Sequence, residues 1–316
     1  MSREESKMMQ GVAILIMIFF HLFNPHDSTQ YTGSVLGRIA TGHNPVPFFV
    51  LLSGYGLYKL NTRNGGRTSF SRCYKLYLRY WYVLSFFLFF SYCLGNHRYD
   101  LSPTTFISNY LGLISTYYLP SWFILPYCML VVLYPYIFRI LDKLPPIQSL
   151  ILAYAIYLFS ASLTRLPLFQ GNIFQVFYIL FPFCLGALMA KTNFVEKTYK
   201  WLNQHPVFLS WGILFSAVII RYFFISGAFQ SFYAATVITS FVAILRRQKM
   251  CNTILTYLGK ASFYMWMIHA WICWYLFREE VYSLRNPLLI YLSVVITSYI
   301  LSVAFSKLYK MVSKAI

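Results

Sequence analysis

Long apolar runs alternate along the chain with short segments that carry charges, proline or glycine. A run of about 20 mostly apolar residues is long enough for a helix to cross the hydrocarbon core of a bilayer. The pattern predicts ten such helices, and therefore an all-α integral membrane protein with one transmembrane domain over residues 1–316. Residues 104–119 predict an interfacial or re-entrant helix. The ten predicted spans are 8–24, 44–60, 76–95, 120–138, 147–164, 172–190, 206–225, 229–245, 254–277 and 287–306.

The composition agrees with a membrane protein and excludes an ordinary soluble domain. Hydrophobic residues make up 59% of the chain and charged residues only 11%, whereas soluble domains carry about 25% charged residues. The six cysteines are scattered and include no C-x-x-C pair. We interpret them as small apolar residues rather than as disulfides or metal ligands, and we expect no bound metal.

The basic residues indicate the orientation in the membrane. Most of the 26 lysines and arginines fall on alternate connecting segments, beginning with the N-terminal one. Because positively charged loops stay in the cytoplasm, ten spans predict that both termini are cytoplasmic. Membrane lipid is then an expected partner. The net charge of +18 follows from the same rule, so it does not call for a nucleic-acid partner.

Five ionisable side chains lie inside or at the ends of predicted spans. His21, Arg221 and His269 lie inside, and His43 and Arg165 lie at span ends. Such groups are costly at membrane depth, which makes them candidates for function. The predicted topology puts the first three in the outer half of the membrane. For His269, a role in helix packing explains the position as well as a functional role does. For Arg221, a side chain that simply extends toward the membrane surface is an equally good explanation.

A basic face begins the third predicted span. In RTSFSRCYKLYLRYW, Arg72, Lys75 and Arg79 follow a spacing of three and four residues, which lines them along one side of a helix. Cations on such a face can bind phosphate groups. They can also enforce topology and contact anionic lipid headgroups. From the charges alone, the second interpretation is preferred.

Five short motifs follow one another in the order found in a known family. They are an apolar helix ending in histidine, an aromatic pair before Ser-Gly-Tyr, a basic pair at the start of a span, a Trp-Phe element, and a Gly-x-x-Ser element before a histidine. In these motifs the chain resembles the membrane acyltransferase-3 family over nearly its whole length. The segments are GVAILIMIFFH (11–21), VPFFVLLSGYGL (46–57), FSRCYKLYLRYW (70–81), LPSWFILPY (119–127) and LGKASFYMWMIH (258–269).

The resemblance implies ten membrane spans and O-acetylation of glycans or related acceptors, with acetyl-CoA as the usual donor. It implies that His21 is the catalytic imidazole. It also implies that Arg72 and Lys75, at the R-x-x-R positions of the family, hold the phosphates of the donor, with Arg79 on the same face.

Two positions depart from the family pattern. Gln10 stands where the family has an arginine eleven residues before the histidine, and Lys75 replaces the second arginine of R-x-x-R. Eleven residues are just over three helical turns, so Gln10 and His21 share a face about 16 Å apart. Lys7 lies one turn before Gln10 on nearly the same face. We therefore predict that Lys7 supplies the missing cation.

These residues predict an O-acetyltransferase of the plasma (inner) membrane that moves acetyl from cytoplasmic acetyl-CoA to a hydroxyl of a cell-surface or exopolysaccharide sugar. The expected partner is a glycan acceptor, free or lipid-linked. His21 would act as general base or carry the acetyl group itself, and the sequence leaves both routes open. The candidates for binding the acceptor or the oxyanion are Arg221, Arg165, His269, His43, Ser53 and Trp122.

Two other functions fit parts of the pattern. A transporter or flippase of a lipid-linked glycan fits ten spans with a basic cytoplasmic side, but internal repeats and acidic residues inside the spans are missing from the sequence. Another class of membrane acyltransferase would use His269, in MIHAW, for the chemistry instead of His21.

Overall fold

The computed structural model describes residues 1–64, 69–96, 98–163, 166–248 and 253–315. None of these residues lies in a β-strand, and they form fourteen α-helices joined by turns. The helices are α1 (Arg3–Phe23), α2 (Val35–Gly42), α3 (Val46–Asn64), α4 (Ser69–Cys93), α5 (Pro103–Leu111), α6 (Ile124–Lys143), α7 (Pro146–Leu163), α8 (Gln175–Lys191), α9 (Phe194–Asn203), α10 (Val207–Phe223), α11 (Gln230–Arg247), α12 (Thr253–Ala270), α13 (Arg278–Ser283) and α14 (Pro287–Ala315).

Each of the ten predicted spans coincides with one long helix, and residues 104–119 contain the short helix α5. The all-helical fold class is confirmed. The apolar helices are those of a multi-pass membrane protein, whereas the number of crossings and the side of the termini stay predictions. Six segments of the described chain are long and apolar enough to cross a bilayer, and α10 is apolar but shorter. The six are Arg3–Phe23, Leu119–Lys143, Pro146–Leu163, Asn172–Lys191, Gly227–Arg247 and Pro287–Met311.

Helix α1 begins five residues before the predicted span because polar residues cap it. The Ser2 hydroxyl accepts a hydrogen bond from the Glu5 amide at 3.1 Å, and the Glu5 carboxylate accepts one from the Ser2 amide at 2.6 Å. This reciprocal arrangement satisfies two backbone donors that a helix start otherwise leaves open. The helix ends at Phe23, where the Asn24 amide donates to the Phe20 carbonyl.

The contacts between residues divide the chain into two compact units, each built from three stretches of sequence. The prediction of a single domain over residues 1–316 stays a prediction. The first unit comprises Met1–Arg67, Tyr134–Ser160 and Ile179–Lys260. The second unit comprises Thr68–Leu133, Ala161–Tyr178 and Ala261–Ile316.

The first unit is organised around α11, which packs against α3, α9 and α10 and is buried along most of its length. Helices α3 and α8 also meet in this unit, with their backbones in contact. A Cβ atom added at Gly54 would lie 2.1 Å from the Phe183 carbonyl oxygen, and one at Gly186 would lie 2.0 Å from the Leu51 oxygen. Only glycine allows this approach, and small residues serve the same purpose in other membrane helix pairs.

The second unit is held by aromatic stacking around one tryptophan. Helix α12 continues into a π-helical turn, Trp271–Leu276, whose wider backbone places Trp271 between two rings. The indole stacks on Phe87 at 5.2 Å and on Tyr118 at 5.3 Å between ring centroids. Single π-turns of this kind are frequent near functional sites.

Candidate active site

His21 lies in the last turn of α1, where a carboxylate holds its imidazole. Nδ1 of His21 is 3.1 Å from Oδ2 of Asp27, and the two side chains are 17% and 16% exposed. The carboxylate is an acceptor, so Nδ1 carries the proton and Nε2 carries the lone pair of the neutral ring. A carboxylate that fixes the tautomer in this way leaves Nε2 ready to accept a proton from a reacting group.

The pair forms because the chain turns back at the end of α1. The amides of Asp27 and Ser28 both donate to the Asn24 carbonyl, at 2.9 and 2.8 Å, which folds residues 24–28 into a tight turn. Asp27, six residues after His21, therefore lies against the last turn of the helix. The Asn24 side chain contacts the same carboxylate, with Nδ2 3.5 Å from Oδ2 of Asp27. The site is thus built from local sequence.

Thr41 links this turn to the end of α2. Its hydroxyl oxygen lies 3.1 Å from Oδ1 of Asn24 and 2.8 Å from the Gly37 carbonyl oxygen, and its single proton is shared between these two acceptors. One residue later, the Gly42 carbonyl accepts a hydrogen bond from Nε of Arg221 at 2.9 Å. Two successive residues of the first unit thus connect the His21 region with α10.

Arg221 is buried rather than extended toward the surface, with 3% of its area exposed. Besides Gly42, its guanidinium donates to the carbonyls of Phe224 and Ser226, at 3.0 and 2.8 Å. It also lies 5.8 Å from the centroid of the Tyr233 ring. Buried guanidinium groups need such a set of acceptors. In this structure Arg221 ties the last residue of α2 to the segment that follows α10.

His43 ends α2 in the same unit and is 7% exposed. Its Nδ1 is 2.6 Å from the Ile39 carbonyl oxygen, and its ring meets Tyr233 edge-on at 5.2 Å. Burial lowers the pKa of His43, the hydrogen bond to Ile39 opposes that effect, and the charge of Arg221 lowers the pKa further. The imidazole is therefore neutral at pH 7. The first unit thus contains His21, His43 and Arg221, and the contacts of Thr41 and Gly42 lie between them.

His269 lies in the second unit and has a different environment. It is completely buried in the last turn of α12. Its Nδ1 is 3.1 Å from the Met265 carbonyl oxygen and 2.9 Å from the Trp266 oxygen. Both acceptors belong to the helix that carries His269, so these bonds fix the ring against its own backbone.

The basic face lies on the first turns of α4, also in the second unit. The side chains of Arg72, Lys75 and Arg79 are exposed, whereas Cys73 between them is buried and points its thiol to the Cys128 carbonyl at 3.6 Å. The Arg79 guanidinium lies 5.8 Å from the Tyr309 ring centroid. Exposed cations suit phosphates and lipid headgroups alike, so both interpretations stay open.

Lys7 and Gln10 contact one another directly. The Lys7 ammonium donates to Oε1 of Gln10 at 2.8 Å, across one turn of α1. A positive charge therefore lies beside the position where the family pattern has arginine. The functional role that we predict for Lys7 stays a prediction.

The other candidates occupy separate places. Ser53 is half-buried on α3, directly before the close contact at Gly54. Trp122 lies in the turn Leu119–Phe123 before α6, with its ring 6.3 Å from that of Tyr178. Arg165 lies outside the described residues. Within the described part of the chain, no group of three His, Cys, Asp or Glu side chains could hold a metal ion.

Asp27, Asn24 and Thr41 were not predicted from the sequence. No acidic residue lies inside the predicted spans, and Asp27 lies four residues beyond the first helix. A signal was present, because Asp27 is the only acidic residue between Glu5 and Asp100. An isolated carboxylate close to a membrane histidine is the partner that a general base needs.

Comparison with known families matches the chain to one family model. The model is described as an acyltransferase domain, acyltransferase-3, and it matches residues 4–307, nearly the entire sequence. No curated protein and no solved structure matches the chain.

Proposed function

Because the chain belongs to the acyltransferase-3 family, we propose that this membrane acyltransferase is an O-acetyltransferase. It moves an acetyl group from cytoplasmic acetyl-CoA to a hydroxyl of a cell-surface or exopolysaccharide sugar. The observation that carries the proposal is the pair His21–Asp27, in which a carboxylate at 3.1 Å holds the imidazole of the family's motif histidine as a base. Acyl transfer to a hydroxyl needs such a base.

We propose further that the chain crosses the plasma (inner) membrane ten times, with both termini in the cytoplasm. Ten long helices at the ten predicted positions support this count. The distribution of lysine and arginine supports the orientation. In this arrangement α1 runs outward, and His21 lies toward its extracytoplasmic end.

In the proposed reaction, Nε2 of His21 accepts the proton of the sugar hydroxyl while its oxygen attacks the thioester carbonyl. Asp27 stabilises the imidazolium that forms, through the hydrogen bond at Nδ1. The C–S bond then breaks, the ester C–O bond is retained, and the imidazolium returns its proton to the thiolate of CoA. The alternative route, through an acetyl-imidazole at His21, uses the same Nε2 lone pair.

In this proposal, cations on the cytoplasmic side bind the donor acetyl-CoA. Arg72 and Lys75 are exposed on α4 and match the family's R-x-x-R positions, so we assign them to the phosphates of CoA, with Arg79 in support. Lys7, held at Gln10, supplies the charge that the family pattern has at residue 10. Arg221, His43, Ser53, Trp122, Arg165 and His269 remain candidates for contacts with the acceptor or the oxyanion.

The alternatives have less support. Nδ1 of His269 donates to the carbonyls of its own helix, which bring no negative charge to the ring, so His269 has less support as the base than His21. Nothing in the described residues favours a flippase. The family of the chain is one of acyltransferases.

The proposal can be tested in cells that carry or lack this protein. We expect proton NMR of the surface glycan to show O-acetyl signals that disappear with the protein and return with the wild-type chain. The variants Arg72→Ala and His21→Ala should not restore them. Arg139→Ala, which changes a cation outside the motifs, is the matched control and should restore them. Unchanged glycan acetylation in cells without the protein would contradict the proposal.

A further inference from the structure

The Nε2 atom of His43 is buried and has no hydrogen-bond partner among the residues that the structure describes. Buried polar atoms nearly always have a partner, so each exception needs an explanation. Ligands are one explanation, because a bound molecule can provide the partner that the protein lacks. The proton transfer proposed above does not use His43, which is one of the candidates for contacts with the acceptor or the oxyanion.

The tautomer of His43 determines what kind of partner is missing. Nδ1 donates its proton to the Ile39 carbonyl at 2.6 Å. Nε2 therefore carries a lone pair and can only accept a hydrogen bond. Burial and the neighbouring Arg221 charge lower the pKa of His43, so the ring keeps this neutral form at pH 7.

His43 follows closely in the sequence the residue that links α2 to the turn beyond His21. His43 is two residues from Thr41, which bonds to the Asn24 side chain, which in turn contacts Asp27. On its other side, the Tyr233 ring touches His43 at 5.2 Å. The link between α2 and the turn that holds the candidate pair therefore lies two residues before His43 in the sequence.

We propose that His43 binds the acceptor substrate, with Nε2 accepting a hydrogen bond from a sugar hydroxyl. This inference rests on the proposed function. Because Nε2 of His43 can only accept, its ligand must provide a hydrogen-bond donor, and a sugar has many hydroxyl groups that can donate. The acetyl thioester offers only a carbonyl acceptor at its reactive end and does not satisfy Nε2. His43 is thus a binding residue for the acceptor, whereas His21 acts on the hydroxyl that reacts.

Two substitutions separate this role from a purely structural one. In His43→Asn, the side-chain amide reaches the position of Nδ1 and keeps the donor to Ile39, but no atom reaches the position of Nε2. In His43→Gln, the longer side chain puts its amide at the position of Nε2, where Oε1 can accept, and gives up the bond to Ile39. Binding through Nε2 predicts that the Asn variant is defective. A structural role through Nδ1 predicts the reverse.

The experiment uses the purified full chain in lipid nanodiscs, labelled acetyl-CoA, and surface polysaccharide from the producing cells after mild alkaline removal of its O-acetyl groups. For His43→Asn we expect the KM for polysaccharide to rise tenfold or more. We expect its KM for acetyl-CoA to stay within twofold and its thermal unfolding midpoint to stay at the wild-type value. For His43→Gln we expect the KM for polysaccharide to stay within threefold of wild type.

The outcomes that would overturn the inference are distinct from failure of the proposed function. Wild-type transfer together with an unchanged KM for polysaccharide in His43→Asn overturns the inference alone. Should the Asn variant not fold, the Gln variant decides, and a tenfold rise of its KM for polysaccharide overturns the inference. If the wild-type protein transfers no acetyl group to the polysaccharide, the proposed function fails and the inference fails with it.

Discussion

His21 and His269 each lie in the last turn of a long helix, and both follow an apolar run that a sequence analysis marks as a membrane span. The ring of His21 bonds to the carboxylate of Asp27, which comes from the turn beyond the helix. The ring of His269 bonds to the carbonyls of Met265 and Trp266, within its own helix. His21 is also partly exposed, whereas His269 is completely buried.

The partner of a membrane histidine, and not its position in a span, indicates its role. A carboxylate stabilises the imidazolium that forms when the ring accepts a proton. Helix carbonyls satisfy the Nδ1 proton but contribute no negative charge. We therefore propose His21, and not His269, as the base.

The largest effect is expected for Asp27→Asn. The amide of asparagine donates to Nδ1 of His21, which moves the ring proton to Nε2 and removes the base. We expect kcat for acetyl transfer to fall by about 10²–10⁴-fold, measured with the purified protein. Asp100→Asn, at an exposed carboxylate that bonds to Ser102 and Thr105, is the control and should stay within threefold. Wild-type kcat in Asp27→Asn would show that the carboxylate has no catalytic part.

A large effect on stability is expected inside the Ser-Gly-Tyr element, at the close backbone contact of Gly54. In Gly54→Ala the new methyl group would overlap the Phe183 carbonyl oxygen, only 2.1 Å away. We expect a loss of about 3 kcal/mol in the free energy of unfolding, seen as a lower thermal midpoint in detergent.

The same helix provides the control for this prediction. Gly56 has no atom within 4 Å of an added Cβ, so Gly56→Ala should stabilise α3 by up to about 1 kcal/mol. Equal midpoints for the two variants would mean that α3 and α8 are not in backbone contact at Gly54.

A smaller effect is expected for His269→Asn. Asparagine keeps a donor near the Met265 and Trp266 carbonyls and loses the rest of the ring. We expect a loss of about 1–2 kcal/mol in stability from the cavity and a kcat within threefold of wild type. A hundredfold drop of kcat at an unchanged thermal midpoint would show that His269, and not His21, is the catalytic residue.

The smallest effect concerns a carboxylate that pairs with a cation away from the candidate site. Nη1 of Arg246 donates to Glu196 at 2.6 Å, and this hydrogen bond lowers the pKa of Glu196 to about 2. The usual pKa of this side chain in an unfolded chain is higher, so the pair stabilises the protein above about pH 4.5. That contribution disappears as the pH falls toward 2.

Because the Glu196 side chain is 42% exposed, water screens the pair and its contribution is below about 1 kcal/mol. We expect the thermal midpoint of Glu196→Gln to lie slightly below that of the wild type at pH 7. The difference between the two midpoints should become smaller as the pH falls from 4.5 to 3. The kcat for transfer should not change. A difference that grows on acidification would contradict the assignment of the pair.

Much of the fold could be predicted because apolar runs of about 20 residues have few alternatives in a membrane protein. All ten predicted spans coincide with helices. The helices α2, α9 and α13 were not predicted, since segments of six to ten residues with mixed polarity carry too weak a period. The π-helical turn after His269 was not predicted either, because it changes hydrogen bonding without changing the apolar pattern.

The candidate site was predictable only in part. His21 was found because an imidazole in an apolar run is unusual. The contact of Lys7 with Gln10 followed from helical spacing. The link from Asn24 to Thr41 and from Gly42 to Arg221 joins residues that are 17 and 179 positions apart. Such contacts depend on how α1, α2 and α10 pack, and one sequence contains no direct signal for them.

The most direct test of His21 as the catalytic base is acetyl transfer by the purified protein and its His21→Ala variant. Labelled acetyl-CoA and de-O-acetylated surface polysaccharide are supplied, and labelled ester on the polysaccharide is measured. We expect transfer by the wild-type protein and a loss of at least about 100-fold in the variant, at comparable thermal midpoints. Transfer by His21→Ala at the wild-type rate would contradict this role.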